Sequence, residues 1–181
     1  MLSVAGTLNA EMYGSAFKPP IQEEAIQARN VQGPYPKNLQ DTPETRRRSI
    51  YMFHKRVTQY PLFQAFDGPD ASACCGRRNV TTVPTQALSV LNEPFIRLRA
   101  IEFAKRLQKD AGEQSSAQVK LAYELALGRA ASPIEIAAGI EFLKQQETRR
   151  IARQPGKDVK IDALADFAQV VFGLNEFIYI D

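Results

Sequence analysis

A sustained helical period that begins near residue 84 and runs almost to the C-terminus constrains this chain more than any other feature. Ile96, Ala100, Phe103, Ala104 and Leu107 recur at the three- and four-residue steps that place side chains on one face of a helix. Ahead of them, Thr82-Val83-Pro84 supplies a capping hydroxyl and an early proline for a helix over 85–92. Val119, Ala122, Tyr123 and Ala126 repeat the pattern, and Gly128 is placed to stop it. Ser132-Pro133-Ile134-Glu135 reads as a capping box with proline at the first helical position. The helix it opens is expected to bury Ile136, Ile140 and Leu143, then to continue as the polar, basic stretch 147–153 until Pro155-Gly156 breaks it. Leu164, Phe167, Ala168, Val171 and Phe172 form a last apolar face before Gly173. Together these patterns predict an all-α fold, a helical bundle of about five to six helices.

The first 44 residues are different. Gly6, Gly14, Pro19, Pro20, Gly33, Pro34, Pro36 and Pro43 punctuate them too densely for long elements. One short helix fits over 22–30 and another ahead of Gly6, with extended loop between. The expected division is an irregular, Pro/Gly-rich N-terminal arm over 1–44 and an α-helical domain over 45–181. Because the opening residues read as the end of a helix capped by Gly6, the arm is expected to be the end of a truncated upstream region. Residues 46–58 are ambiguous: Ile50, Phe53 and Val57 have helical spacing, while Ile50-Tyr51-Met52-Phe53 also suits a short strand. With no second strand-like run nearby, helix is the favoured reading.

With 44% apolar and 24% charged residues, the composition is that of an ordinary globular protein. The longest apolar runs are a few residues, so no membrane span is expected, and no charged-then-apolar leader opens the chain. One histidine and two cysteines are too few for most all-protein metal sites, and none is expected here. Cys74 and Cys75 are sequence neighbours, closer than the usual separation across a disulfide. They read as ordinary thiols, at least one of them buried as a small hydrophobe. His54, beside Lys55 and Arg56, reads as a surface or capping residue. No nucleophile elbow, phosphate loop, zinc-protease, c-type haem or dinucleotide fingerprint occurs, so no cofactor is expected in this chain.

The net charge of +3 conceals an uneven distribution. Residues 44–109 carry +7 and the remainder −4, with Arg46-Arg47-Arg48, Lys55-Arg56, Arg77-Arg78, Arg97 and Arg99 supplying most of the excess. Such a surplus serves either structural ion pairs and solvated faces or an anion site. Nucleic acid is not an expected partner, because no binding motif or aromatic stacking platform accompanies the arginines. The densest polar segment joins Asp67 and Asp70, in a Gly-Pro turn, to Arg77, Arg78, Asn79, Thr81, Thr82 and Gln86 on a loop entering a helix. Two carboxylates three apart can hold a hard cation or act as acid and base, and a loop leading into a helix can cradle an anion. The competing reading is structural: Asp and Thr bonding their own backbone, and Asp67 or Asp70 clamped to Arg77 or Arg78. An internal echo, Gln86 with Leu91-Asn92-Glu93 and Gln169 with Leu174-Asn175-Glu176, is attributed to shared helix-end chemistry.

Several runs together resemble a known family. They are Arg47-Arg48-Ser49-Ile50-Tyr51, Phe66-Asp67-Gly68-Pro69-Asp70, Arg77-Arg78-Asn79-Val80-Thr81-Thr82-Val83-Pro84-Thr85-Gln86, Leu91-Asn92-Glu93-Pro94-Phe95, Leu127-Gly128-Arg129, and the ending from Leu164-Ala165-Asp166-Phe167 to Tyr179. The chain resembles, over nearly its whole length, the C-terminal part of a planctomycete-type domain of unknown function. In that family the domain accompanies a planctomycete cytochrome-c domain in large, exported, multidomain proteins. The resemblance implies a periplasmic or cell-surface parent protein and a link to polysaccharide handling. It also implies a c-type haem in the parent's missing upstream part, and it carries over no catalytic residue. The expected function is an interaction or scaffold module whose partners are other domains of the parent and an acidic or sulfated polysaccharide. The alternative is a hydrolase, transferase or binding site for an anionic glycan, built on Asp67, Asp70, Arg77 and Arg78.

Overall fold

A computed structural model describes residues 1–20, 40–54, 56, 59–69, 74–77, 81–154 and 158–179. Seven α-helices occur among them: α1 (Pro61–Ala65), α2 (Pro84–Asn92), α3 (Pro94–Ala111), α4 (Ser115–Leu127), α5 (Pro133–Arg153), α6 (Lys160–Phe172) and α7 (Asn175–Ile178). No strand is present among the described residues, so the expected all-α class is what the chain adopts. The chain divides into two compact units, one of Met1–Thr7 with Val90–Asp181 and one of Leu8–Ser89.

The first unit is built on α3 and α6, which pack more extensively against each other than any other pair, with α4 and α5 completing the bundle. The apolar stripe expected on α3 is buried at every position: Ile96, Ala100, Phe103, Ala104 and Leu107. The α6 face made by Leu164, Phe167, Ala168, Val171 and Phe172 is buried opposite it. Phe103 stacks on Phe172 with centroids 5.5 Å apart, and Phe172 meets Phe177 of α7 at 5.1 Å. Burial of this kind is worth about 1.5–3 kcal/mol for each large side chain, which makes the α3–α6 seam the energetic centre of the unit.

Helix ends follow the chemistry expected of them. Gly128 ends α4 in the left-handed conformation at φ +69°, where a Cβ would be strained. Ser132 and Glu135 form the reciprocal capping box, with Pro133 at the first helical position. Ahead of Gly6 the chain forms a single turn and not the expected short helix, with Gly6 at φ +71°, Thr7 N–H donating to the Leu2 carbonyl and Gly6 N–H to that of Ser3. Arg106 then donates to the Ser3 and Val4 carbonyls at 3.2 and 2.8 Å, tying that turn to α3.

Four further expectations are corrected. On α5, Ile140 is 37% exposed and Ile136 only half-buried, because the residue that faces the bundle is Gly139. A Cβ there would lie 2.8 Å from a Val119 methyl carbon and 3.3 Å from the Phe167 ring, so this turn approaches its neighbours without a side chain. Residues 46–54 are not a helix. Two 3₁₀ turns, Glu44–Arg46 and Ser49–Tyr51, alternate with extended residues that pair with the arm through isolated parallel bridges, Asn9 with Arg47 and Phe17 with Met52. A lone bridge needs no strand-length run on either side, so the lack of a second strand-like run does not argue for helix. Cys74 and Cys75 are both exposed free thiols, since the described part of their segment buries no side chain. Asn92 is the last residue of α2, whereas Asn175 begins α7, so the echo between the two segments is not one shared turn. The expected short helix over 22–30 lies outside the described residues.

Candidate functional site

The segment expected to hold ligand chemistry starts where α1 ends. Phe66 N–H closes the helix on the Leu62 carbonyl, and Gly68 N–H reaches the Phe63 carbonyl at 2.7 Å. Asp67 stands between them in the left-handed region at φ +54°, the position usually taken by glycine or asparagine. Gly68 is required by space: a Cβ on it would lie 2.8 Å from the Phe63 carbonyl oxygen. Gln59 braces the turn from outside by donating to the Gly68 and Pro69 carbonyls at 3.0 and 3.1 Å.

This turn aims Asp67 at the approach to α2. One carboxylate oxygen, Oδ2, accepts from both the Thr81 N–H at 2.8 Å and the Thr81 hydroxyl at 2.6 Å. Gln86 completes the arrangement from within the helix. Its Nε2 donates to the Thr81 carbonyl at 2.9 Å, and its Oε1 accepts from the N–H of Val83, the residue preceding α2. Gln86 is therefore the half of a capping box that reaches back to the helix entry, and its side chain is buried. Every polar group of Thr81 is bonded: N–H and hydroxyl to Asp67, carbonyl to Gln86.

Of the eight residues singled out, the structure thus brings together Asp67, Thr81 and Gln86. Arg77 and Thr82 are exposed and do not enter that chain of bonds; the Arg77 carbonyl accepts from Cys75 Sγ at 3.2 Å. Asp70, Arg78 and Asn79 lie outside the described residues. His54 is at the surface, as expected, with its ring stacked 5.6 Å from Phe63. No group of three or more His, Cys, Asp or Glu suited to a metal ion occurs among the described residues. No helix among them is long and apolar enough to cross a membrane.

Much of the basic surplus is engaged inside the chain. Arg46 forms a two-point ion pair with Asp41 at 3.1 and 2.9 Å. Arg47 is buried and donates to the carbonyls of Glu11, Tyr13 and Ser15, with its guanidinium 4.4 Å over the Tyr51 ring. Tyr13 and Gly14, both at positive φ, form the turn that supplies part of this carbonyl cradle. Arg99 is fully buried on α3, bonded to the Thr7 hydroxyl at 3.2 Å and 5.5 Å over the Phe95 ring. Arg97 donates to Asp166 and Gln169, and Gln169 in turn donates to the Val90 and Leu91 carbonyls at the end of α2.

Arg99 and Gln169 are legible in the sequence as part of the basic surplus and of the helix-end echo, and a signal for their burial is present as well. Arg99 falls in register with Ile96, Phe103 and Ala100, and Gln169 with Ala165 and Phe172, so each interrupts an apolar stripe. A polar side chain in such a place needs partners, and both have them.

A second polar cluster lies where α4, α5 and α7 meet. Arg129 binds both oxygens of Glu135 at 3.0 and 2.8 Å and both oxygens of Glu176 at 2.6 and 2.8 Å. The guanidinium holds the Glu135 carboxyl down to about 2, helped by the Ser132 N–H, and also lowers that of Glu176. This is a clasp between helix ends.

Residues 1–143 match PSD1, described as a protein of unknown function (DUF1553). The chain belongs to that family. No curated protein and no solved structure matches it. The PSD1 match takes in the Asp67–Thr81–Gln86 arrangement and α3, and it ends within α5. The α6 face that completes the core of the first unit follows it.

Proposed function

We propose that this PSD1 chain is an interaction or scaffold module of an exported multidomain protein, docking other domains of its parent rather than turning over a substrate. One observation carries the reading. The carboxylate of Asp67, the described member of the candidate acidic pair, is bonded to the N–H and hydroxyl of Thr81 and so closes a loop onto a helix entry. A group so engaged positions backbone; a general acid or base needs its lone pairs turned toward a reacting atom. The parent is periplasmic or at the cell surface and handles polysaccharide, in keeping with the family resemblance. A c-type haem, if the parent holds one, belongs to its upstream part. Attachment needs two cysteines separated by two residues and followed by histidine, whereas Cys74 and Cys75 are adjacent and followed by Gly76.

Reconstitution tests this. The domains encoded upstream in the parent gene are purified separately, mixed with the chain at micromolar concentration, and followed by size exclusion and cross-linking. Co-elution as a defined complex is the expected result. The reading is overturned if no complex forms. It is equally overturned if the chain alone cleaves, or binds saturably, a sulfated or uronic oligosaccharide and loses that property in Asp67→Asn.

A further inference from the structure

Within the first unit, the last turns of α5 carry Gln146, Arg149, Arg150 and Arg153 at steps of three, one and three residues, which places them along one helix face. With Gln154 and Asp166 of α6 they line a cavity of about 320 Å³. Every lining side chain is polar or charged. The arginines in it are not equivalent. Arg150 grips Asp166 through two bonds of 2.8 and 2.7 Å and reaches Asp162 at 3.6 Å. Asp166 also accepts from Arg97 at 2.8 Å, so its charge is shared between two guanidinium groups. Arg149 and Arg153 have no hydrogen bond or ion pair among the described residues, although both line the cavity.

The local charge therefore does not cancel. Arg97, Arg149, Arg150 and Arg153 face Asp162 and Asp166, which leaves two positive charges, those of Arg149 and Arg153. These two stand four residues apart on one helix face, where like charges repel. The negative end of the α5 dipole offsets part of that repulsion and would favour any cation there. It does not explain a cavity walled by guanidinium and amide groups, with a bonded Arg150–Asp166 pair in its wall. Guanidinium groups offer planar pairs of N–H donors that match the oxygens of a phosphate or sulfate.

We propose that this cavity on α5 binds a tetrahedral oxyanion, a phosphate or sulfate group, held by Arg149 and Arg153 against the fixed wall of Arg150. Gln146 and Gln154 supply neutral donors to the oxygens that the arginines leave open. The volume accommodates the anion together with a group the size of one sugar ring attached to it. The site shares no residue with the Asp67–Thr81–Gln86 arrangement and does not depend on the docking proposal.

Calorimetric titration of the whole chain with inorganic phosphate, inorganic sulfate, glucose 6-phosphate and glucose 6-sulfate, at constant ionic strength, tests it. Saturable binding of at least one oxyanion is expected, weakened tenfold or more in R149Q/R153Q while the circular dichroism melt is kept. Arg77→Gln, in the other basic segment, leaves it unchanged. Binding of the phosphate ester strengthens as pH rises through about 6, where its second proton leaves, whereas the sulfate ester shows no such rise. Tighter binding of either ester than of its free ion supports the site and identifies the source of the oxyanion. Absence of saturable binding by all four probes, or equal affinity in R149Q/R153Q, overturns the proposal.

Discussion

Gly139 shows how one position inverts an ordinary rule. In the interior of an exposed helix, replacing glycine with alanine gains about 1 kcal/mol from helix propensity. Here the added methyl would sit 2.8 and 2.9 Å from the two Val119 methyl carbons, closer than real carbon contacts come. Overpacking of a filled interior costs about 1–3 kcal/mol, so the steric loss is expected to outweigh the propensity gain. Gly139→Ala should therefore lower the thermal midpoint, and Gly139→Ala with Val119→Ala should recover part of the loss. A rise in the midpoint for the single variant would mean that α4 and α5 can separate at no cost. Asp67 teaches a related lesson about what was legible. Its place in a turn beside Gly68 and Pro69 was readable, and so was a structural use for it. What was not readable is that Thr81, fourteen residues on, is a partner of its carboxylate. Hydroxyl and N–H donors occur throughout any sequence, so nothing marks one of them as the recipient of a given carboxylate.

At the scale of elements, the helices were legible where the pattern and its punctuation agreed. The stripes on α3 and α6, the Gly128 stop and the Ser132–Glu135 box all describe interactions within a few residues of each other. The pairing of the arm with residues 47 and 52 was not legible, because single bridges leave no period to read. The Arg129 clasp is intermediate: its link to Glu135 is local, but its link to Glu176 joins residues 47 positions apart. That clasp has a definite pH signature. Glu135 titrates near 2 in the folded chain against an ordinary 4.5, and Glu176 is lowered in the same direction. A carboxyl depressed on folding contributes stability that is fully present above its unfolded value and is lost as pH falls through the folded one. Arg129→Gln should thus lower the melting temperature at pH 7. The gap between variant and native chain should shrink as pH drops from about 4.5 toward 2. A gap that stays constant across that window would mean that Arg129 acts through its packing on Tyr123, 5.4 Å away, and not through the carboxylates.

Across the whole molecule, the two units differ in what holds them. The buried apolar residues fall overwhelmingly in Met1–Thr7 with Val90–Asp181, including the α3 and α6 stripes, Val119, Ala122 and Leu143. Among the described residues of Leu8–Ser89, Phe17, Pro19 and Tyr60 are the buried apolar side chains. That unit relies on directed polar links: Arg47 to three carbonyls, Arg46 to Asp41, and Asp67 and Gln86 to Thr81. Solvated hydrogen bonds contribute only about 0.5–1.5 kcal/mol each, and they constrain a local geometry more than they resist opening. Local opening free energies follow buried apolar contact, so native-state amide exchange should separate the two. The amides of α3 and α6 should exchange most slowly, at rates that report the global stability of their unit. Those of residues 8–20, 40–54 and 59–69 should exchange orders of magnitude faster, even where they are hydrogen-bonded. The N-terminal turn supplies the internal control, because Met1–Thr7 is grouped with the well-buried unit and bonded to Arg106 and Arg99. The bonded amides of Ala5, Gly6 and Thr7 should outlast those of Asn9 and Phe17, only a few residues along the chain. Equal protection on both sides of residue 8 would show that polar linkage alone stabilises Leu8–Ser89 as well as the apolar core stabilises the helices.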